Sequence, residues 1–299
     1  MRAPLRSLAA AACLCLAASA CSRRSPEAPG LRARVDGLGR TVHVPPPERV
    51  KRVVSLAPST TEVLFAIGAG GLVVGVDRYS DFPPEARALP QVGADVDPSL
   101  ERILALHPDL VLTATSANTP ATVEALERLS IPVFVSRSES LEEIFRGVLD
   151  LGDLVGRRPD AEALAARMRA RIAAVGRPDG SAPQKALMVV WPEPLIVAGR
   201  ATHVGDLLRA AGAENIADES PLAWPTFSLE RVLARAPSVV IVGTHKDGVP
   251  SLASLEAVAK APDGSRRFRI ELIDGDLIFR PGPRVADGVE LLAKILRGR

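Results

Sequence analysis

Between residues 159 and 175 the apolar positions Ala161, Leu164, Ala165, Met168, Ile172 and Val175 recur at spacings of three and four. This single stripe predicts one uninterrupted helix. Pro159 suits its first turn, where a missing N–H costs nothing. Asp160 and Glu162 lie toward its start and Arg167, Arg169 and Arg171 toward its end, which complements the helix dipole. Gly176 and Pro178 close it.

On both sides of this helix, short runs rich in β-branched residues alternate with amphipathic stretches. Upstream, strands are predicted at residues 52–56, 72–76, 110–113 and 132–135. Between them lie predicted helices at 59–67, 99–107 and 119–129, and another at 141–154 follows. Ser59 with Glu62 three residues on has the form of a capping box. Downstream of a Gly/Pro/Ser linker at 176–183, strands are predicted at 185–190, 239–242 and 270–273. Helices are predicted at 203–211, 229–234, 251–258 and 284–296. Strands alternating with helices imply parallel sheets, so the pattern predicts two α/β lobes with the long helix as spacer. Residues 32–44 predict a hairpin around Asp36-Gly37-Leu38-Gly39.

An internal repeat supports the two lobes. Residues 99–112 read SLERILALHPDLVL and 228–241 read SLERVLARAPSVVI, with eight of fourteen positions identical at an offset of 129. Solenoid repeats have periods of about 20–50 residues, so this offset points to two similar domains. The expected boundaries are 21–48 for a tether and hairpin, 49–155 for the first lobe, 156–180 for the spacer helix and 181–299 for the second lobe.

The first 20 residues fall outside this pattern. Arg2 and Arg6 precede 13 uncharged residues, 8–20, too short to span a bilayer as a helix. They read as a signal peptide. The run LAASA before Cys21 resembles a lipobox, with Ala18 where leucine is the stronger choice, so Cys21 is the expected lipidation site. The alternative is ordinary cleavage after Ala20. Cys13 and Cys15 would leave with the signal, and Cys21 alone excludes an intramolecular disulfide and a cysteine-based zinc site. Without Arg2 and Arg6 the chain carries 35 basic and 35 acidic residues, which gives no sign of a nucleic-acid partner.

Candidate chemistry is sought at the carboxyl ends of the strands, where open parallel sheets bind ligands. Aromatic residues are only 3 % of the chain, yet Tyr79, Trp191 and Trp224 all fall in predicted loops. Together they suggest a binding cleft; the alternative is that each covers a lobe edge. Phe65, Phe134 and Phe145 fit core positions. Asp276, Arg280 and Arg284 are candidates for polar ligand contacts or for a solvated loop. Glu101 and Glu230 occupy the same place in the two repeat copies. Each suits a helix start, and as a matched pair they could meet two arginines on a two-fold symmetric partner. His43, His107, His203 and His245 show no metal-ligand spacing, and neither a phosphate loop nor a nucleophile elbow occurs. No catalytic or metal site is expected.

The segments Arg52-Val53-Val54-Ser55-Leu56-Ala57-Pro58-Ser59 with Thr61-Glu62, Gly75-Val76-Asp77 leading to Tyr79-Ser80-Asp81-Phe82-Pro83-Pro84, the two LER copies, and Ala223-Trp224-Pro225 carry a resemblance. Together they resemble the solute-binding proteins of ABC importers for cobalamin, ferric siderophores and haem, most of all the cobalamin-binding branch, over about residues 33–298. The resemblance implies the class III periplasmic binding protein fold, with two Rossmann-like lobes, a rigid connecting helix and little hinge closure. It implies that Tyr79, Trp191 and Trp224 line a corrinoid cleft with Pro58, Ser59 and Asp276 nearby, and that Glu101 and Glu230 dock on the permease. Trp191 replaces a phenylalanine of that branch, and Asp95 and Ala114 replace two tryptophans. The implied protein is a monomeric, membrane-anchored lipoprotein of the periplasm or extracytoplasmic face. It would deliver cobalamin to a permease dimer with its ATPase subunits, without bond chemistry. Alternatives are a ferric siderophore or haem, the latter with Tyr79 as axial ligand, or an enzyme on a similar two-lobed scaffold.

Overall fold

The computed structural model describes residues 30–94, 97–117, 120–175, 182–244 and 251–298. The expected signal peptide, Cys21, Asp95 and His245 lie outside the described residues. In chain order the first half runs through β1 (Arg32–Val35), β2 (Thr41–Val44), β3 (Val53–Ser55), α1 (Pro58–Ala66), β4 (Val73–Val76), α2 (Leu100–Ala105), β5 (Leu110–Ala114), α3 (Pro120–Arg128), β6 (Val133–Ser136) and α4 (Leu141–Leu154). The spacer is α5 (Arg158–Val175). The second half holds β7 (Gln184–Pro192), β8 (Leu195–Val197), α6 (His203–Ala210), β9 (Ala213–Asn215), α7 (Leu229–Arg235), β10 (Val239–Thr244), α8 (Ala253–Ala259), β11 (Arg269–Asp274), α9 (Asp276–Phe279) and α10 (Val285–Leu296).

The first lobe is a four-stranded parallel sheet in the order β4-β3-β5-β6. In the second lobe β9, β7, β10 and β11 pair in parallel in that order, while β8 folds back antiparallel on the end of β7. In both lobes the parallel strands thus follow the sequence order second, first, third, fourth. The two LER copies form α2 and α7, each leading into the third strand. Every residue of β5 is buried, as a strand covered on both faces requires. The hairpin β1–β2 lies against the first lobe, where Gly37 N–H donates to the Val135 carbonyl at 2.6 Å.

The spacer helix does more than link. Ala161, Leu164, Ala165 and Met168 are buried in one cluster with Val148, Leu151 and Leu154 of α4, Leu207 and Leu208 of α6, and Val289 and Leu292 of α10. The apolar core is therefore continuous from lobe to lobe, and residues 31–299 group as one unit. Close approach of α4 and α5 depends on Gly152, where an added Cβ would come 2.4 Å from the Ala161 methyl. At the surface Arg169 grips Glu142 of α4 at 2.7 Å. Arg171 forks onto Glu290 of α10 at 2.9 and 2.8 Å and also reaches Asp287.

Three local expectations are corrected. The capping box at Ser59 does not form: α1 starts one residue earlier, with Ala57 as an extended N-cap lacking a side-chain cap and Pro58 in the first turn. Trp191 is not in a loop, because β7 continues to Pro192 by pairing with β8. Asp276 opens a short helix, α9, absent from the sequence expectation. The expected core phenylalanines Phe134 and Phe145 are buried, and Phe65 packs half-buried against the core cluster that holds them.

Candidate functional site

The carboxyl ends of the two sheets face one another. Asp81 lies in the loop after β4 and Arg280 just past β11 and α9, yet Arg280 Nη1 donates to Asp81 Oδ1 at 2.9 Å. Arg280 also holds Asp276 at 2.8 Å and approaches Glu62 at 3.6 Å. Beside it Arg284 Nε and Nη2 donate to the two carboxylate oxygens of Glu62 at 2.9 and 2.6 Å. The Arg284 guanidinium lies 4.3 Å from the centroid of the Phe82 ring. A forked arginine–carboxylate pair with its cation also over an aromatic face is a strong, directional contact.

The Glu62 side chain is only 1 % exposed. Burial, the largest influence, raises its pKa above the usual carboxylate range, and the two guanidiniums, Arg284 foremost, oppose the rise. Burial alone would lower the Arg284 pKa, but the Glu62 carboxylate outweighs it and holds the cation charged. The two influences conflict on Glu62; the short forked contact favours the ionised pair.

The sequence-predicted residues fall into groups. Pro58 and Ser59 form the first turn of α1; Ser59 is buried and borders a small void with Ala114, Ser138 and Pro281 of the opposite lobe. Ala114, which replaces a tryptophan of the resembled branch, is buried with Ala57 and Ala117. Tyr79 sits in the turn after β4, and its N–H donates to the buried Asp77 at 2.8 Å. Asp77 also accepts from the Ser80 hydroxyl, which joins a buried chain through Thr61 and Ser55 to Thr60. Asp276 joins the Arg280 network. Trp191 stands opposite Ile196 of β8, and Ile196 bridges to Thr226, so the Trp224 segment runs along the outer side of β8. The two tryptophans thus share one edge of the second lobe. Trp191 Nε1 donates to the Glu193 carbonyl at 2.9 Å. Tyr79, Phe82, Trp191 and Trp224 are 40–47 % exposed, and large aromatic faces left open are contact surfaces in waiting.

Arg280 and Arg284, candidates for ligand contact, are largely spent on carboxylates of this chain, with side chains 10 % and 15 % exposed. Glu62 and Asp81 were not among the candidates. The available signal was an acid directly before the apolar run Val63-Leu64-Phe65, which needs a cation when buried, and the RPGPR segment supplies two.

Glu101 and Glu230 stand apart, one per lobe, in the first turns of α2 and α7. Both are exposed. Ser99 and Ser228 cap the two helices identically, accepting from the N–H of Arg102 and Arg231 at 3.3 and 3.2 Å. The neighbouring arginines turn to their own lobes: Arg102 to the Gln91 carbonyl, and Arg231 to Glu219 and the Phe227 ring. Hydrogen bonding by its own backbone and by Ser228 lowers the Glu230 pKa.

A cavity of about 430 Å³ lies elsewhere, bounded by Lys185, Arg209, Asn215, Asp218 and Arg235. Two of its arginines are paired internally, Arg209 with Asp218 at 2.9 Å and Arg235 with Glu219. Among the described residues no three His, Cys, Asp or Glu side chains group to hold a metal ion.

Residues 53–262 match the periplasmic binding protein family. The chain belongs to that family. The vitamin B12-binding protein of Pectobacterium carotovorum subsp. carotovorum (strain PC1) is 32% identical over 238 residues, 79% of this chain and 84% of that protein. Among solved structures, this binding protein matches the apo periplasmic heme-binding protein of Roseiflexus sp. RS-1 with a TM-score of 0.72 and 30% identity, over 83% of this chain and 98% of that one. It matches the periplasmic vitamin B12-binding protein of Vibrio cholerae with a TM-score of 0.67 and 27% identity, over 85% and 98%. The two-lobed class III architecture is therefore that of a substrate-binding protein in the cobalamin, heme and siderophore family, and its place is the periplasm.

Proposed function

We propose that this periplasmic binding protein captures a corrinoid of the cobalamin class between its lobes and delivers it to the permease of an ABC importer. The carrying observation is that Tyr79 and Phe82 on one lobe and Trp191 and Trp224 on the other are exposed, and that the two lobes touch beyond the carboxyl ends of β4 and β11, at Asp81 and Arg280. A flat amphiphilic macrocycle suits such surfaces: ring faces take its apolar area, and a few polar groups such as Ser59 and Asp276 orient its periphery. The relatives named for vitamin B12 support the ligand class. Binding needs no catalytic group.

Delivery uses Glu101 and Glu230, one on each lobe, docking on paired arginines of a permease dimer that carries its own ATPase subunits. Their equivalent placement in the repeat supports this role. Cys21, the one cysteine left after signal removal, carries the lipid that tethers a monomeric protein to the membrane.

Haem is the second reading, favoured by the likeness to the Roseiflexus heme-binding protein and by the exposed Tyr79, whose phenol could serve as axial ligand. Titrating the mature protein with cyanocobalamin, haemin and a ferric siderophore, followed by tryptophan fluorescence and calorimetry, separates the readings. Saturable quenching by cyanocobalamin alone is the expected result. Binding of haemin alone, with an absorbance shift abolished by Tyr79→Phe, would replace the corrinoid by haem.

A further inference from the structure

We infer that Arg284 is a positioning residue that fixes the spacing of the two lobes and so sets how thick a ligand the cleft accepts. This rests on the reading above that the ligand lies between the lobes. Arg284 belongs to the second lobe, at the N-cap of α10. Its fork closes on Glu62 of α1 at 2.6 and 2.9 Å, and its plane covers the Phe82 ring at 4.3 Å. Glu62 is one helical turn from Pro58 and Ser59; Phe82 is three residues from Tyr79. One side chain of the second lobe thus grips both first-lobe segments that border the proposed cleft.

The guanidinium has little left to offer a ligand, so it acts through what it holds. Lysine could not replace it, because a point charge has neither the planar fork nor the flat face. Parting the lobes here would separate a buried carboxylate from its cation, a costly step. On another flank the spacer joins the lobes again through Arg169 to α4 and Arg171 to α10. Two ties at different places resist both hinging and twisting.

The test measures lobe spacing without ligand. Nitroxide labels are placed at the exposed helix positions Glu124→Cys on α3 and Glu256→Cys on α8 of the mature chain carrying Cys21→Ser. Their distance is read by double electron–electron resonance. The parent should give one narrow distribution. Glu62→Met with Arg284→Met removes both charges, an exchange folds often tolerate, and should broaden and lengthen it; Arg284→Lys should broaden it partly. Leu126→Ala, in the core of the first lobe alone, should lower the melting temperature and leave the distance unchanged. In the ligand arm, whichever of cyanocobalamin or haemin the parent binds should bind the double variant at least about tenfold more weakly. A distance unchanged in both Arg284 variants overturns the inference whatever ligand binds. A parent that binds neither probe overturns the functional reading, while the distances still decide the role of Arg284.

Discussion

Asp81 and Arg280 are 199 positions apart in the chain and meet at 2.9 Å. Arg280 simultaneously holds Asp276 at 2.8 Å, so removing it takes one shared cation from two acids on opposite lobes. Arg280→Met should lower unfolding free energy by about 1.5–3 kcal/mol, the range for hydrogen bonds to charged groups. Urea denaturation with and without added salt checks this; the loss should shrink little with salt, since the Arg280 side chain is mostly buried.

His203 gives a pH dependence. Burial holds its pKa near 4, against 6.5 when exposed, although its Nε2 lies 3.0 Å from the Ile278 carbonyl and donates to it as the neutral tautomer. The unfolded chain takes up this proton from about pH 6.5 downward; the folded one does so only near 4. Stability from this group is therefore full above 6.5 and falls as pH drops to 4, by about 3 kcal/mol in total. His203→Gln keeps an N–H donor for Ile278 and should flatten that part of the denaturation midpoint against pH profile.

Exposed Glu101 and Glu230 should be dispensable for ligand affinity and required for delivery. Glu101→Arg with Glu230→Arg should abolish uptake by cells while calorimetric affinity stays at the parent value. Normal uptake by the double variant would remove the docking role.

Trp224→Ala should weaken binding of the macrocyclic ligand by about 2 kcal/mol, roughly thirtyfold, as loss of an aromatic anchor does. The melting temperature should hold, because Trp224 is half open to solvent and lies outside the buried clusters. Fluorescence titration beside a thermal melt reads both quantities.

Gly37→Ala tests the N-terminal hairpin. An added Cβ would come 2.6 Å from Arg137 N and 2.8 Å from the Val135 carbonyl oxygen, which are backbone atoms that cannot swing aside. The hairpin should lift from the β6 edge at a cost of about 1–3 kcal/mol, with faster hydrogen exchange across β1 and β2.

Much of the scaffold was legible because it is written locally. The bounds of α4 are those expected, since Ser140 caps a clean amphipathic run. The LER repeat pointed to two similar lobes, and their parallel strands share one order. Local signals failed where distant residues decide. Ser59 and Glu62 have the spacing of a capping box, but Pro58 pulls the helix start forward, and Glu62 answers to an arginine 222 positions away. The WPEP segment looks like a strand end, yet pairing with β8 carries β7 on to Pro192. For the same reason Arg280 and Arg284 looked free for a ligand: their carboxylate partners are adjacent only after folding.

The last helix, α10, supplies Arg284 to the far lobe, Asp287 and Glu290 to the spacer, and just past its end Arg297 donates to the Val175 carbonyl at 2.7 Å. One clasp thus holds three parts of the molecule, and a chain cut before Arg284 loses all of these fastenings at once.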